Sequence, residues 1–191
     1  MMATPFVALC DACVLYPAPL RDLLIWLGLS GQFRARWSPQ IHAEWQRNLL
    51  KNRPDLTPRQ VSRTAALMDQ AIPDAVVTGH EHLIEALALP DADDRHVLAA
   101  AIHGNASVIV TFNEKDFPSR VLSGYGIDAQ HPDSFIENLF DLDQAAVVQA
   151  ARKQREQLRN PPIAVDHYLA ILLKQGLVRT SKLLSSFRGI L

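Results

Sequence analysis

Three aspartates occupy four consecutive positions of the sequence, at Asp91, Asp93 and Asp94. They open an alanine-rich segment with helical spacing, predicted over 92–103, which Gly104 ends. Aspartate is a favoured helix N-cap, and negative charge in the first turn complements the helix dipole. We therefore expect one of the three to cap the helix and the helix N-terminus to keep Asp94 ionised. Capping does not account for three carboxylates, which points to a chemical role for the others.

Further oxygen-bearing side chains follow the predicted strands or lie in the helices that connect them. In a parallel α/β sheet, ligands bind outside the carboxyl ends of the strands. Taken singly, each of these side chains has an ordinary explanation as a cap, a turn residue or a solvated helix position. Their joint placement predicts that five positions meet at one edge of the sheet: Asp11, Glu44, Asp94, Asn113 and Asp116.

Carboxylates without an accompanying cysteine or histidine cluster suit hard cations such as Mg²⁺ or Mn²⁺. Three or four carboxylates brought together without a cation repel one another and raise one another's pKa. A divalent ion relieves this repulsion, lowers the pKa of a bound water and polarises a phosphoryl oxygen. The acidic set therefore predicts a divalent-metal site suited to phosphodiester hydrolysis.

The elements that must position these residues alternate between strands and helices. Strands are predicted over 6–10, 33–37, 74–78, 106–111 and 126–130. Helices are predicted over 17–29, 38–51, 57–71, 92–103, 118–123 and 132–140. Short apolar strands that alternate with helices are typical of a parallel sheet covered on both faces. We therefore predict an α/β fold with a central parallel sheet of about four to five short strands.

The last part of the chain contains no predicted strand. Helices are predicted there over 142–159, 164–175 and 180–187. The chain is accordingly divided into an α/β domain, residues 1–140, and a C-terminal helical extension, residues 141–191.

The composition is that of an ordinary globular protein, with 48% apolar residues in a chain of 191. No apolar run approaches the roughly 20 residues of a membrane span, and the first residues do not resemble a signal peptide, so a cytoplasmic location without membrane contact is expected. Cys10 and Cys13 form a C-x-x-C pattern, but a zinc site would need a second pair. Both are therefore expected to be small buried residues.

The net charge of −1 hides an uneven distribution. Residues 34–63 carry seven basic and two acidic side chains, and residues 152–191 carry eight and two. Residues 64–151 carry three basic and fourteen acidic side chains. Such asymmetry is consistent with a polyanionic partner and equally with solvated helix faces.

Four stretches resemble the PIN domain, in the order expected of it: "VALCDACVLYP", "SPQIHAEWQRNL", "LPDADDRHVLAAAIHGNASVIVTFNEKDFP" and "GIDAQHPDSFIENLF". They cover roughly residues 5–140 and are similar to the branch that contains the VapC-type toxin nucleases of bacterial toxin–antitoxin modules. The stretch "PPIAVDHYLAILLKQGL" is similar to an extension found in one VapC subgroup. The resemblance implies a PIN-like three-layer α/β/α fold and an Mg²⁺- or Mn²⁺-dependent ribonuclease with four acidic residues.

Carried over position by position, the resemblance places the four catalytic and metal-binding acids on Asp11, Glu44, Asp94 and Asp116. Many relatives have aspartate at the position of Asn113, so whether Asn113 or Asp116 faces the metal is left open. Asp91 and Asp93 compete with Asp94 for the third place. Residues expected around the acids are Asp91, Thr111 and Asn113.

The resemblance also implies a substrate and partners. The expected reaction is hydrolysis of RNA, with tRNA or rRNA as candidate targets, giving 5′-phosphate and 3′-hydroxyl products. A cognate antitoxin protein is the expected inhibitor, and a homodimer is a further expectation. Basic side chains around Glu44 are expected to contact RNA phosphates: Arg34, Arg36, Arg47, Lys51 and Arg53.

Two alternative functions remain open at this point. A phosphatase with a nucleophilic D-x-D motif is disfavoured, because Cys13 stands two residues after Asp11. A PIN-like binding module with a weak or inactive metal site, acting through protein partners, is kept open by Asn113. His96 lies beside the acids and is interpreted as a partly exposed helix histidine. The three tryptophans are expected in the core: Trp26, Trp37 and Trp45.

Overall fold

Four short parallel strands form the centre of the molecule, which a computed structural model describes over residues 5–191. They are β1 (Val7–Cys10), β2 (Arg34–Arg36), β3 (Val108–Val110) and β4 (Asp128–Gln130). Their order in the sheet is β2-β1-β3-β4. The inner strand β3 is buried along its whole length and β1 over all but its first residue, as in a sheet covered on both faces. The predicted α/β class with a parallel sheet is confirmed, with four strands in the sheet.

The prediction of a further strand over 74–78 is wrong. This segment forms only an isolated parallel bridge between Trp37 and Val76, beside β2. Two backbone hydrogen bonds hold it, from the Trp37 N–H to the Ala75 carbonyl and from the Val77 N–H to the Trp37 carbonyl, at 3.0 and 2.8 Å. Gly79 follows with a φ of 84°, which turns the chain out of the extended conformation and prevents a longer ladder.

Helices surround the sheet and are joined by loops and short turns. They are α1 (Ala12–Leu15), α2 (Ala18–Leu29), α3 (Pro39–Asn52), α4 (Pro58–Ala71), α5 (Arg95–His103), α6 (Ser119–Leu122), α7 (Pro132–Leu142), α8 (Gln144–Gln157), α9 (Val165–Lys174) and α10 (Val178–Ser185). The short helix α1 and a 3₁₀ turn over Glu81–Ala86 were not predicted. Among residues 5–191, no helix is both long enough and apolar enough to cross a membrane.

The starts of α3 and α4 follow the local sequence signals. The Ser38 hydroxyl accepts a hydrogen bond from the Ile41 N–H at 3.1 Å, with proline as the first helical residue. Thr57 and Gln60 form the predicted capping box, in which each side chain accepts from the other's backbone N–H. Both helices therefore begin where the cap and the proline predict.

A hydrogen-bonded network in the core fixes the orientation of α3. The indole N–H of Trp45 donates to His42 Nδ1 at 2.9 Å, and His42 Nε2 lies 2.9 Å from Asp69 Oδ1. Because Nδ1 accepts, Nε2 must carry the proton and donate to Asp69. Trp37 donates to the same Asp69 oxygen at 2.7 Å. Trp37 and Trp45 are buried as predicted, whereas Trp26 is only half-buried.

The C-terminal helices pack directly against the α/β part. The Gln154 side chain on α8 donates to the Pro19 carbonyl at 2.8 Å and accepts from the Tyr168 hydroxyl of α9 at 2.7 Å. These contacts join the extension to α2 across the core. The division after residue 140 stays a prediction, and α7 runs across it from Pro132 to Leu142.

Candidate active site

Asp11 lies directly after β1 and is buried, with 4% of its surface exposed. One carboxylate oxygen accepts a hydrogen bond from the Ala12 N–H at 2.6 Å and so caps α1. The other accepts from the Thr111 hydroxyl at 2.7 Å and from the Cys13 thiol at 3.2 Å. Burial raises the pKa of Asp11 above its usual range, while the hydrogen bonds from Thr111 and Cys13 act to lower it. The carboxylate is thus held in one orientation at the carboxyl edge of the sheet.

Cys13 is a member of this site that sequence reasoning missed. It is half-buried rather than fully buried, and its sulfur also lies 3.4 Å from the Thr111 hydroxyl and accepts the Phe112 N–H at 3.3 Å. Burial, followed by the negative charge of Asp11, raises the pKa of the Cys13 thiol to about 12. The thiol therefore stays protonated at neutral pH and donates to Asp11. Its position two residues after Asp11 was the only signal in the sequence.

Thr111 contributes its hydroxyl, as the sequence predicts. The side chain is fully buried at the end of β3 and donates to Asp11. Its oxygen also accepts the backbone N–H of Asn113 at 3.0 Å. Thr111 therefore connects Asp11 to the turn that carries Asp116.

Glu44 reaches this edge from α3 and meets α5. Its Oε2 lies 3.3 Å from His96 Nε2, and both side chains are partly buried, with 32% and 15% exposed. The Nδ1 of His96 is buried without a hydrogen-bond partner in the described residues. The interpretation of His96 as a partly exposed helix histidine therefore missed its contact with a candidate metal ligand.

Asp94 is electrostatically coupled to the other acids. Burial is the largest cause that raises the pKa of Asp94, and the charges of Asp11, Asp91, Asp116 and Glu44 add to it. Together they raise this pKa to about 7. In the absence of a metal, burial and repulsion outweigh the favourable effect of the helix N-terminus, which was expected to help keep Asp94 ionised. The acids are therefore close enough to influence one another's ionisation.

The aspartate cluster does not cap α5 in the way that the sequence predicts. Asp94 occupies the N-cap position, but its side chain makes no capping hydrogen bond. Asp91 instead accepts the Asp93 N–H at 2.9 Å and closes a local turn. This turn delays the helix start from the predicted residue 92 to Arg95. The Asp94 carboxylate consequently makes no capping hydrogen bond and can face the other acids.

The structure favours Asp116 over Asn113 as the fourth acid. Asp116 ends a 3₁₀ turn, is half-buried, and its charge acts on Asp94. Asn113 is exposed and precedes this turn, which its carbonyl closes by accepting the Asp116 N–H at 2.9 Å. Asn113 therefore shapes the turn that presents Asp116.

Two of the five predicted RNA-binding residues share the Glu44 face of α3. Arg47 and Lys51 follow Glu44 by three and seven residues, and both are exposed. Arg53 lies just after α3 and makes a two-bond pair with Asp55, at 2.8 and 2.6 Å. Arg47 and Lys51 therefore lie on the same exposed face of α3 as Glu44, whereas Arg53 does not.

The structure does not bring Arg34 to the acids. Arg34 pairs with Val7 at the amino end of β1, which places it about 13 Å along the strand direction from Asp11. Arg36, two residues further along β2, is half-buried, and burial lowers its pKa. The predicted role of these two arginines in RNA binding is not supported by their positions.

The donor set suits a divalent cation. Over residues 5–191, no three histidine, cysteine, aspartate or glutamate side chains are already close enough together to enclose a metal ion. Carboxylates are nevertheless the donors that Mg²⁺ and Mn²⁺ prefer. The repulsion that raises the pKa of Asp94 is the kind that a cation relieves. By the chemistry of their side chains, the residues present fit such an ion.

Comparison with known proteins gives a match to a protein-family model for the α/β part of the chain and another for its C-terminal helices. A family model described as "PIN domain" matches residues 8–115, and one described as "VapC50 C-terminal domain" matches residues 132–186. A curated protein of Mycobacterium tuberculosis named "Putative ribonuclease VapC50" is 40% identical over 82 residues, which are 43% of this chain and 48% of that protein. The chain thus spans about half the length of the curated relative that it matches. No solved structure gives a significant match.

Proposed function

The chain belongs to the PIN-domain family, and from this premise we propose that it is a metal-dependent endoribonuclease that hydrolyses RNA phosphodiester bonds. The observation that carries the proposal is the mutual influence of four acids at the carboxyl edge of the sheet, expressed in the raised pKa of Asp94. These acids come from four separate elements of the fold. The family match confirms the resemblance found in the sequence.

The four acids would hold the metal: Asp11, Glu44, Asp94 and Asp116. A bound Mg²⁺ or Mn²⁺ lowers the pKa of a water and neutralises charge that develops on the phosphate. Thr111 and Cys13 orient Asp11 through hydrogen bonds to one of its oxygens. Arg47 and Lys51 contact the phosphates of the RNA backbone, since they are exposed on the face of α3 that carries Glu44.

The substrate is single-stranded or looped RNA, because A-form helices hide their base edges from side chains. Transfer RNA and ribosomal RNA are the first candidates. The match to the VapC50 C-terminal model supports a toxin of a toxin–antitoxin pair. The cognate antitoxin would then inhibit by covering the acidic site with an arginine or lysine. A cytoplasmic location and a homodimer belong to the same proposal.

The binding-module alternative has lost its main support. It depended on Asn113 as a missing acid, and Asp116 now supplies a carboxylate that acts on Asp94. No contact in the described part of the chain favours it.

Cleavage of a mixed tRNA and rRNA pool tests the proposed activity. Wild type is compared with Asp94→Asn, and Asp93→Asn serves as the matched control because Asp93 is exposed in the same turn. Wild type and Asp93→Asn are expected to give discrete fragments with Mn²⁺ or Mg²⁺ and none with EDTA. Asp94→Asn should cut about 100-fold more slowly or worse, as expected when a metal ligand is removed.

Equal cutting by wild type and Asp94→Asn would contradict the site assignment. A wild-type protein that neither cuts RNA nor binds Mn²⁺ would instead support the binding module.

A further inference from the structure

A cavity of about 410 Å³ lies between the α1–α2 turn, α3 and α4, two elements of which also carry candidate metal ligands. Its volume is within the range of about 300–1,000 Å³ that is typical of ligand-binding clefts. None of its wall residues belongs to the four acids. Side chains of the wall that can contact a ligand are Tyr16, Arg21, Arg53, Gln60, Thr64 and Gln175.

Two helices connect the cavity directly to the acids. Tyr16 follows Asp11 by five residues through α1, and Leu49 in the cavity wall follows Glu44 by five residues on α3. At a rise of 1.5 Å per residue, each step covers about 7–8 Å along a helix axis. The cavity therefore begins about one and a half helical turns from two candidate metal ligands, and Leu49, turned by about 140° from Glu44, opens it on a neighbouring face of α3.

A third connection runs through the C-terminal extension. Gln175, after α9, forms part of the wall, and Gly176 beside it has a φ of 81°. A Cβ atom at Gly176 would lie 3.9 Å from the ring of Phe112, whose backbone N–H donates to Cys13. The extension thus closes the cavity on the side of β3, next to the residues that hold Asp11.

Arg21 supplies a buried positive charge to the wall. It is only 7% exposed, and its Nη1 donates to the Leu15 carbonyl at 3.1 Å. Its buried Nε has no hydrogen-bond partner among the described residues, and Asp22, whose side chain is half-exposed, lies 3.6 Å from it. A buried guanidinium with an unfilled donor favours an anionic oxygen. Arg53 adds a second, exposed guanidinium to the same wall, which is paired with Asp55 in the absence of a ligand.

Tyr16 supplies an aromatic surface. Its ring is half-buried, and its hydroxyl accepts a hydrogen bond from the Asn52 side chain at 3.0 Å. Unstacked bases of single-stranded RNA stack on such rings. Amide and hydroxyl groups that can bind base edges stand in the same wall, on Gln60, Thr64 and Gln175.

The geometry points to a nucleotide-binding subsite: the cavity holds one unstacked nucleotide of the RNA, with its base against Tyr16 and a phosphate facing Arg21 and Arg53. The inference rests on the proposed function, because RNA is the ligand in both. It also gives the C-terminal extension a role in substrate binding, since Gln175 completes the wall.

RNA binding measured by fluorescence anisotropy in EDTA tests the subsite separately from cleavage. The probe is a fluorescein-labelled single-stranded RNA of mixed sequence, about 16 nucleotides long, which is within the site sizes of single-strand binding proteins. Tyr16→Ala removes the ring, and Thr64→Trp fills the cavity from α4. Tyr16→Phe and Thr64→Ser are the matched controls. Circular dichroism verifies that each variant is folded.

Tyr16→Ala and Thr64→Trp are expected to raise the Kd about tenfold, the loss expected when one base–aromatic stack is removed. Tyr16→Phe and Thr64→Ser should stay within about twofold of wild type, since the ring and the open cavity are retained. Folded Tyr16→Ala and Thr64→Trp proteins that bind as tightly as wild type would overturn the subsite, as would a wild type that does not bind the RNA.

The two proposals fail in different ways. A wild type that binds RNA in a Tyr16-dependent manner but cuts none with Mn²⁺ or Mg²⁺ would uphold the subsite and refute the nuclease. A wild type that cuts RNA while the Tyr16 and Thr64 variants bind normally would refute the subsite alone.

Discussion

The ionisation of Asp94 connects the candidate site to the stability of the fold. Its pKa is raised from 3.8 to about 7, so the folded protein retains a proton that the unfolded chain releases. Stability is therefore lost as the pH rises from about 4 to about 7, and the loss is complete above that range. Asp94→Asn removes the charge and should stabilise the metal-free protein at pH 8, by about 1 kcal/mol after allowance for solvent screening at a half-buried side chain.

Thermal unfolding in EDTA between pH 4 and pH 8 measures this effect. The difference in Tm between Asp94→Asn and wild type should shrink as the pH falls towards 4, because Asp94 is then protonated and uncharged in the folded wild type. Asp93→Asn is the control and should show no such trend. A difference in Tm that does not change with pH would show that the charge of Asp94 does not cause the stabilisation of Asp94→Asn.

The hydrogen bond from the Cys13 thiol to Asp11 leads to a second prediction about a single residue, which concerns Mn²⁺ affinity. Cys13→Ala removes a hydrogen bond to Asp11, whereas Cys13→Ser keeps a donor at that position. Loss of a group that orients a metal ligand typically weakens metal binding by 10- to 100-fold, so Cys13→Ala should weaken Mn²⁺ binding about tenfold. Cys13→Ser should restore most of that affinity.

Calorimetric titration with Mn²⁺ measures the affinity, and Cys10→Ala controls for the loss of a neighbouring buried thiol. Equal Mn²⁺ affinities of Cys13→Ala and wild type would show that the thiol only fills space.

Sequence reasoning placed Asp11 and Thr111 at one edge of the sheet but missed the contacts of Cys13 and His96. Asp11 and Thr111 could be placed together because both follow strands of one parallel sheet. Cys13 could not, since its bonds to Thr111 and Phe112 join positions almost one hundred residues apart. His96 was missed as a partner of Glu44 for the same reason, because no local pattern predicts which two helices meet.

At the scale of elements, Asp133 fastens the last helix to the α/β part. Its carboxylate on α7 accepts hydrogen bonds from the backbone N–H groups of Arg179 and Thr180 and from the Thr180 hydroxyl, at 2.8–2.9 Å. The N-cap residue of α10, Leu177, makes no side-chain cap of its own. Asp133→Ala should therefore lower the free energy of unfolding by about 2 kcal/mol, since several buried donors lose their acceptor.

Urea unfolding provides the measurement, and Glu137→Gln is the control. Glu137 pairs with Arg179 on the surface at 2.6 Å, and such exposed pairs contribute about 0–1 kcal/mol. Equal losses in the two variants would contradict the capping role of Asp133.

Helix boundaries were predicted correctly where the sequence signal and the boundary lie within one helical turn of each other. The starts of α3 and α4 were correct because a cap and a proline act within one turn. The start of α5 was three residues too early, since Asp91 forms a turn with Asp93 instead of capping the helix. Helix α1 was missed because its four residues contain too short an apolar pattern to distinguish it from a loop.

At the scale of the whole molecule, the alternation of strands and helices was enough to predict the α/β class. It did not predict the strand order, in which β1 lies between β2 and β3, because periodicity does not identify neighbours. The sequence also did not predict where the C-terminal helices pack. An apolar helix face predicts burial but not the partner, and the bond from Gln154 to Pro19 spans 135 residues of sequence.

The acidic site lies near exposed cations of α3, because Arg47 and Lys51 share the helix face of Glu44. This arrangement explains part of the uneven charge distribution: acids gather where a cation would bind, and Arg47 and Lys51 stand where a polyanion would enter. Binding of RNA and of metal should therefore depend on the same edge of the sheet.

Calorimetric titration with Mn²⁺ of the four acid variants, with RNA cleavage measured on the same preparations, shows whether these acids form one catalytic metal site. The variants are Asp11→Asn, Glu44→Gln, Asp94→Asn and Asp116→Asn, with Asp93→Asn as the control. Each of the four substitutions is expected to weaken Mn²⁺ binding about tenfold or more and to abolish cleavage in parallel, while the control matches wild type. Variants that lose Mn²⁺ binding but cleave RNA at the wild-type rate would contradict this site assignment.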